Sequence, residues 1–323
     1  MSSLMRNGLM RNRLMPNNLI PNDLISNHLS FPVIRRLGAD DLKSCAALSV
    51  DRGWWPERAK WSLLLAASEA YGVDAPDGQG LAGTVVLTRW GADRAAIGMM
   101  LTASRYGGHG LGRALMEHAL RAAGEGTAVS LYATGAGRPL YEKLGFKPVR
   151  RSVSFIGQFR PTASDNSKKR GAPSLAGGVR VATEADLPDI LALDRAAFGA
   201  DRGQFLTRLP AIADQIAVFE ADGPAGRGIA GYAAAWRNNP DSTVIGPLVA
   251  PDGETAKRLV AALAAGARTP VRLDLDPDRP ELPGWAHAHG LEPYGRTVVM
   301  AHGDLAPRGI PGHLFTPISV ALA

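Results

Sequence analysis

Apolar positions change their spacing several times along the chain, and each change marks an element. Residues 33–37 alternate as a strand does. Asp40 or Asp41 then opens a helix that runs to about Val50. A second helix begins after Pro56, with Trp61, Leu64 and Leu65 on one face. Strand spacing returns near residues 69–73, 81–90 and 95–103. Residues 110–123 place Leu111, Leu115, His118 and Ala119 at helical intervals. A short strand at 127–132, a short helix at 137–144 and a late strand or pair over 149–159 complete this run. The stretch 161–178 is rich in Pro, Gly, Ser and Lys and reads as a linker.

After the linker the pattern begins again. Ile34-Arg35 followed by Asp41-Leu42 matches Val179-Arg180 followed by Asp186-Leu187, each pair displaced by 145 positions. The same shift carries Gly145, Phe146 and Pro148 onto Gly290, Leu291 and Pro293, and Gly108 and Arg113 onto Gly253 and Arg258. A constant shift over most of a domain indicates an internal duplication. Ahead of both halves, Leu4, Leu9, Leu14, Leu19, Leu24 and Leu29 recur every five positions, and Asn7, Asn12, Asn17, Asn22 and Asn27 keep the same step. That period is neither helical nor strand-like. A pentapeptide β-helix wants a small residue where Asn stands, and few coils could stack, so residues 1–30 are expected to be a disordered tail. The expected organisation is therefore a tail at 1–30, an active domain at 31–160, a linker at 161–178, a degenerate copy at 179–303 and a C-terminal tail at 304–323.

Bulk properties narrow the function class. The formal charge of +6 suits an anionic partner. No Lys/Arg run is interleaved with aromatics, so nucleic acid is not the expected partner. No apolar run approaches the ~18 residues of a membrane span, and the N-terminus has no signal-peptide core. Cys45 is the only cysteine, which fits a reducing cytoplasm, and it reads as helix filler.

The chemical signal is Arg105-Tyr106-Gly107-Gly108-His109-Gly110-Leu111-Gly112-Arg113, between a strand and a helix. Glycines allow a tight turn and bare N–H groups. The first amides of a helix lack internal partners and sit at its positive end, so the loop is a cradle for an anion such as a pyrophosphate. It is not a P-loop, because Arg113-Ala114 stands where Lys-Ser/Thr should. It is not a dinucleotide fingerprint, because Gly108, Gly110 and Gly112 give G-x-G-x-G.

Arg105-x-x-Gly108-x-Gly110 resembles the acyl-CoA signature of the GNAT (GCN5-related) N-acetyltransferase superfamily. Pro139-Leu140-Tyr141-Glu142-Lys143-Leu144-Gly145-Phe146 is similar to that superfamily's second signature, in the right order. Gly53-Trp54-Trp55-Pro56, Ala133-Thr134 before Gly137, and Gly246-Pro247-Leu248-Val249-Ala250-Pro251 and Arg272-Leu273-Asp274 in the second half resemble a bacterial tandem group with a divergent C-terminal domain. The implied fold is α/β (α+β): two GNAT-type domains, each a mixed, mainly antiparallel twisted sheet flanked by helices.

The resemblance also implies a site and a reaction. Acetyl-CoA is the cosubstrate and no metal is needed. The cofactor would meet Leu101, Thr102, Ala103, Arg105, Gly107, Gly108, His109, Gly110, Leu111, Gly112, Arg113 and Thr134. An amine on a small molecule or peptide would attack the thioester directly, with a backbone N–H near Met100 or Leu101 polarising the carbonyl. Tyr141 would give a proton to the departing sulfur, since a phenol is protonated at neutral pH. Relatives often carry Asn where Thr134 stands. Residues 95–103 hold no carboxylate, so the general base is unassigned; Asp51, Glu57 and Glu69 are the acidic alternatives. Trp54, Trp55, Arg202 and Asp274 are the acceptor-side candidates. The second half has Ala250 opposite Arg105, Thr255 opposite Gly110, Lys257 opposite Gly112 and Ala286 opposite Tyr141, so it is expected to have no cofactor site of its own. A monomer or homodimer in the cytoplasm is expected. A non-catalytic acyl-CoA sensor and a ligand-free structural module are the alternatives.

Overall fold

A computed structural model describes residues 33–162, 178–223 and 226–322. The expected tail at 1–30 and nearly all of the linker at 161–178 lie outside the described residues. The repeat seen in sequence is repeated in contacts. The Arg35 guanidinium donates to Asp41 at 2.7 Å and to Asp74 at 2.8 Å. One repeat later Arg180 donates to Asp186 at 2.7 Å and to Glu220 at 2.6 Å. In both copies the aspartate also accepts a backbone N–H, from Gly38 and from Thr183, and so fixes the entry to the first helix.

The first half runs β1 (Arg35–Arg36), α1 (Leu42–Asp51), α2 (Arg58–Ala67), β2 (Glu69–Asp74), β3 (Leu81–Arg89), β4 (Arg94–Thr102), α3 (Leu111–Ala123), β5 (Ala128–Ala133), α4 (Arg138–Lys143) and β6 (Lys147–Gly157). The second runs β7 (Val179–Val181), α5 (Leu187–Phe198), α6 (Gly203–Leu206), β8 (Ala213–Gly223), β9 (Gly226–Asn239), β10 (Ser242–Val249), α7 (Gly253–Ala264), β11 (Val271–Leu275), α8 (Pro283–Ala288), β12 (Glu292–His302) and β13 (Leu314–Thr316). Neighbours are antiparallel except β4 with β5 and β10 with β11. This mixed, mainly antiparallel sheet flanked by helices is the expected fold class.

The two halves are woven into one sheet of order β1-β2-β3-β4-β5-β12-β6-β11-β10-β9-β8-β7. β6 of the first half and β12 of the second each lie against the other half. β12 pairs with β5, from Val298 opposite Ala133 to His302 opposite Val129. β6 pairs with β11, from Val153 opposite Leu275 to Gly157 opposite Val271. β6 and β12 then pair with each other along their length. Met300 of β12 is therefore buried in the core beneath α3, and Phe155 of β6 in the core beneath α7. A cut at the sequence-level boundaries would remove from each half a strand that completes its sheet.

The opposite face is a single apolar cluster drawn from both halves. It joins Cys45, Leu48, Trp61 and Leu64 to Ile190, Phe205, Tyr232 and Trp236. Trp90 packs edge-on to Phe198 at 5.6 Å and against Phe205 at 5.2 Å. Within this cluster the Arg202 guanidinium donates to Asp194 at 3.0 Å through Nε, the Tyr232 hydroxyl donates to the same carboxylate, and Arg202 stacks over Phe198. The expected tail at 304–323 is also built in. β13 pairs with β10, and Ile318, Ala321 and Leu322 are buried in the shared cluster. Among the described residues no helix is long and apolar enough to cross a membrane.

Two outcomes follow from this packing. Because the halves share strands and a core, urea unfolding followed by tryptophan fluorescence and by circular dichroism should give one coincident transition; two separated transitions would contradict the interwoven sheet. Arg202 and Asp194 have side chains only 1% and 0% exposed, so Arg202→Ala strands a buried carboxylate. It should cost on the order of 3–5 kcal/mol, read as a fall in the urea midpoint. A loss of under about 1 kcal/mol, the range of exposed pairs, would show that water reaches the site.

Candidate functional site

β4 and β5 run side by side only from Arg94 opposite Ala128 to Ile97 opposite Leu131. β4 continues to Thr102, and no strand among the described residues pairs with that edge beyond Ile97. The parting is built into β4. Its register with β3 shifts between Thr84 and Val86, Met99 takes the left-handed conformation at φ 47°, and the Thr84 hydroxyl donates to the Met99 carbonyl at 2.9 Å. A bulge of this kind adds a residue to one strand and turns its edge away from the neighbour. The result is a V whose arm at residues 98–102 has, on one side, backbone donors and acceptors with no strand partner among the described residues.

The glycine loop closes the top of that arm. Gly108 and Gly110 sit at φ +83° and +80°, and a Cβ built on either meets nothing within 4 Å. Residues 107–110 are exposed. Gly110 caps α3, so the first amides of the helix open onto this empty space. The far end of α3 is sealed: Arg89 donates to the carbonyls of Ala122 at 2.6 Å and Ala123 at 3.0 Å while Glu69 accepts from its Nε at 2.6 Å. Cationic donors on the C-terminal carbonyls reinforce a helix whose positive end faces the cradle. His109 is tied back through Nδ1 to the Gly107 carbonyl at 2.9 Å. Arg113 reaches Glu117 one turn on.

Arg105 does not point freely into the cradle. It donates to Asp77 at 3.0 Å and to the Gln79 carbonyl at 2.9 Å, in the turn between β2 and β3. The Gln79 amide, and after it the Arg105 guanidinium, holds the Asp77 carboxyl below the usual range. Asp77 escaped the sequence reading because it touches the loop only through a hairpin 28 residues away. On the other side, the Ser104 N–H donates to Asp51 at 2.6 Å, docking the end of α1 onto the entrance of the loop.

Tyr141 lies across the V from the shared cluster. It is 7% exposed and packs in the α3 core, with its ring centroid 6.1 Å from that of Phe146. Burial pushes its phenol up to about 12. A Cβ on Gly137 would come within 2.9 Å of its hydroxyl, so the turn before α4 is shaped to that oxygen. Thr134 is exposed, and its carbonyl accepts from Gly137 at 3.1 Å and Arg138 at 3.0 Å. Leu101 and Ala103 are buried and Thr102 half-buried on the free arm.

The acceptor-side candidates divide. Trp54 and Trp55 are each 44% exposed on the loop between α1 and α2, next to the segment that docks on Ser104. Arg202 is not available to a ligand, because it is consumed by Asp194 inside the core. Asp274 is 5% exposed and holds Arg272 at 2.9 Å, with the Ser154 hydroxyl on the same oxygen. Among the acidic alternatives, Asp51 holds Ser104, Glu69 holds Arg89, and Glu57 pairs with Lys60 at 2.7 Å with both side chains under a tenth exposed.

The second half has the same frame with both openings filled. β10 and β11 also part, after Val244 opposite Arg272. There β13 lies along the freed edge of β10, pairing Leu248 with Thr316 and Val249 with Leu314. The amides at the start of α7 are capped by Asp252, which accepts from Thr255 at 2.7 Å. That amide holds the Asp252 carboxyl below the usual range, so a fixed negative charge occupies the place of an anion.

Comparison with known proteins agrees with this geometry. Residues 39–146 match the acetyltransferase (GNAT) family, and residues 190–316 match an acetyltransferase (GNAT) domain. A Bacillus subtilis (strain 168) protein named as the uncharacterized N-acetyltransferase YitH is 29% identical over 228 residues, covering 70% of this chain and 76% of that one. A candidate acetyltransferase of Pyrococcus horikoshii superposes with a TM-score of 0.71 at 17% identity, covering 93% of this chain and 98% of the other. A tandem GNAT protein from the clavulanic acid biosynthesis pathway gives 0.57 at 16%, covering 84% and 98%. These two likenesses are of fold. With two matched domains on one interwoven sheet, the chain belongs to the GNAT acetyltransferase superfamily as a tandem member.

Proposed function

We propose that the chain transfers an acetyl group from acetyl-CoA to an amine, using one site, in the first half. The observation that carries this is the contrast between the halves. The frame occurs twice, and among the described residues no strand fills the V of the first copy and no side chain caps its helix start, whereas both are filled in the second.

The residues fit the cofactor in three places. The amides of residues 110–112, at the positive end of α3, suit the pyrophosphate. The free edge of β4 at Leu101, Thr102 and Ala103 suits the amides of a pantetheine arm. Arg105 is within the same loop and can leave Asp77 for a phosphate. Acetyl-CoA supplies an activated acyl thioester. The chain supplies the rest. Backbone N–H groups at Met100 or Leu101 polarise the carbonyl. Tyr141 holds a proton where a thiolate would form, and its raised pKa keeps that proton in place. No carboxylate stands on β4 to take the amine's proton, so the acceptor is expected to attack as a free amine, its nitrogen then losing one N–H proton to water as the amide forms.

Three measurements test this. Calorimetry on the full chain should find one CoA per chain; two equal sites would refute the contrast. Gly110→Asp should abolish that binding, because a carboxylate then sits on the cradle. Gly110→Asn, which tolerates the left-handed backbone and adds no charge, should retain much more of it. Equal loss in both would mean that strain, not charge, governs the position. Tyr141→Phe should lower kcat by on the order of 10²–10⁴ with CoA affinity unchanged. A general acid works in its protonated form, and this one titrates near 12, so kcat of the native protein should show no alkaline fall between pH 8 and 10. A fall in that window that vanishes in Tyr141→Phe would assign Tyr141 an ordinary phenol pKa.

A further inference from the structure

The segment that follows β13 does not end where the second half is complete. A Cβ on Gly246 of β10 would lie 2.2 Å from the Pro317 carbonyl oxygen. A Cβ on Gly98 of β4 would lie 2.0 Å from the Ala321 carbonyl oxygen. The same short stretch therefore touches β10 of one half and β4 of the other. Gly98 is the first residue beyond the last β4–β5 pair, directly before the Met99 bulge. The stretch is held in shape there. The Leu322 N–H donates to the Ser319 carbonyl at 2.9 Å, and the Ala321 N–H donates to the Ser319 hydroxyl at 3.2 Å.

The two faces of β4 at this point belong to different cores. Tyr141, Ile97 and Leu111 lie in the α3 core. Met99, Leu101, Ile318, Ala321 and Leu322 lie in the shared cluster. The α3 side is taken by the cradle, α3 and α4. An acceptor must then come from the other side, and residues 317–322 are built against the apex of the V on that side.

We propose that residues 317–322 are a strap that forms the acceptor-side wall of the acyl-transfer site. It keeps water from the acyl group and limits which amines can reach it. This rests on the acyl-transfer reading above. Gly98 is glycine because the strap's Ala321 carbonyl occupies the space of a side chain. The second half thus acts on the reaction of the first through its own C-terminal segment, after plugging its own V with the strand just before it. The exposed Trp54 and Trp55 follow α1, whose end docks on Ser104 just beyond the arm.

The test uses the full chain with Gly98→Ala, a version lacking residues 319–323, and the two changes combined. Release of thiol from acetyl-CoA is followed without acceptor and with ethanolamine, spermidine and kanamycin as amines of increasing size. CoA affinity and circular dichroism are measured on each protein. Each single change should raise acceptor-free thiol release by on the order of tenfold and should raise turnover of the largest active amine relative to the smallest, with CoA affinity unchanged. If none of the amines is a substrate, thiol release alone decides. The combined protein should behave like the shortened one, because adding a Cβ where no strap remains removes nothing further. Unchanged thiol release and amine ranking in Gly98→Ala, or additive effects in the combined protein, overturn the proposal. Should the shortened protein fail to fold, Gly98→Ala decides. Native protein that binds no CoA would instead refute the acyl-transfer reading.

Discussion

A strand edge carries donors and acceptors that must be spent, and this molecule is organised by how each edge is spent. The outer edge of β5 is covered by β12, and that of β11 by β6. The edge that β10 frees on parting from β11 is covered by β13. The corresponding edge of β4 has no strand against it among the described residues. Two copies of one frame therefore reach different ends. One copy satisfies itself from the chain, and the other leaves peptide groups with no strand beside them among the described residues.

Much of the candidate site's geometry was legible in the sequence because its physics is local. Glycines at left-handed positions, a helix start and a short helix carrying Tyr141 are set by residues close together in the chain. The ion pair of Arg35 with Asp41, and its repeat in Arg180 with Asp186, lie within the 145-residue shift that revealed the duplication. The crossing of β6 and β12 was not legible. Alternation says which face a residue occupies, and it says nothing about which strand lies beside it. Arg202 misled for a related reason. A lone arginine is normally solvated. Its partner Asp194 lies 8 residues away, but Tyr232, which donates to the same carboxylate, lies 38 residues from that aspartate. Residues 304–323 read as a tail because β13 has only three residues, too few for a period. The apolar Phe315, Ile318 and Leu322 were the available signal.

The duplication also explains why the second half can lose the cradle without losing the fold. An anion site at a helix start needs bare amides and open space. Asp252 supplies the anion from within and satisfies the Thr255 amide, which stabilises α7 as a helix cap does. With this cap the helix start needs no bound anion. This half contributes β12, the apolar face of α5 and the turn at residues 319–322 to the first half. These contributions are strand pairing and packing, which do not depend on a glycine loop in the half that supplies them.

The remaining charge near the cradle argues for exchange over accumulation. Arg105 opens the glycine loop, yet it is spent on Asp77 across an exposed surface, with the two side chains 42% and 37% accessible. An exposed pair of this kind is held weakly. On the proposed function, a phosphate arriving at the loop would trade one partner for another on the same guanidinium and gain its main support from the helix amides, which nothing among the described residues has claimed. The turn from β2 to β3 then acts as a placeholder. It keeps a long, flexible side chain near its working position when no anion is there, which reduces the conformational entropy lost on binding. The same logic separates the two halves once more: in the first the placeholder is a distant, exposed carboxylate that can let go, and in the second it is Asp252, fixed on the helix itself.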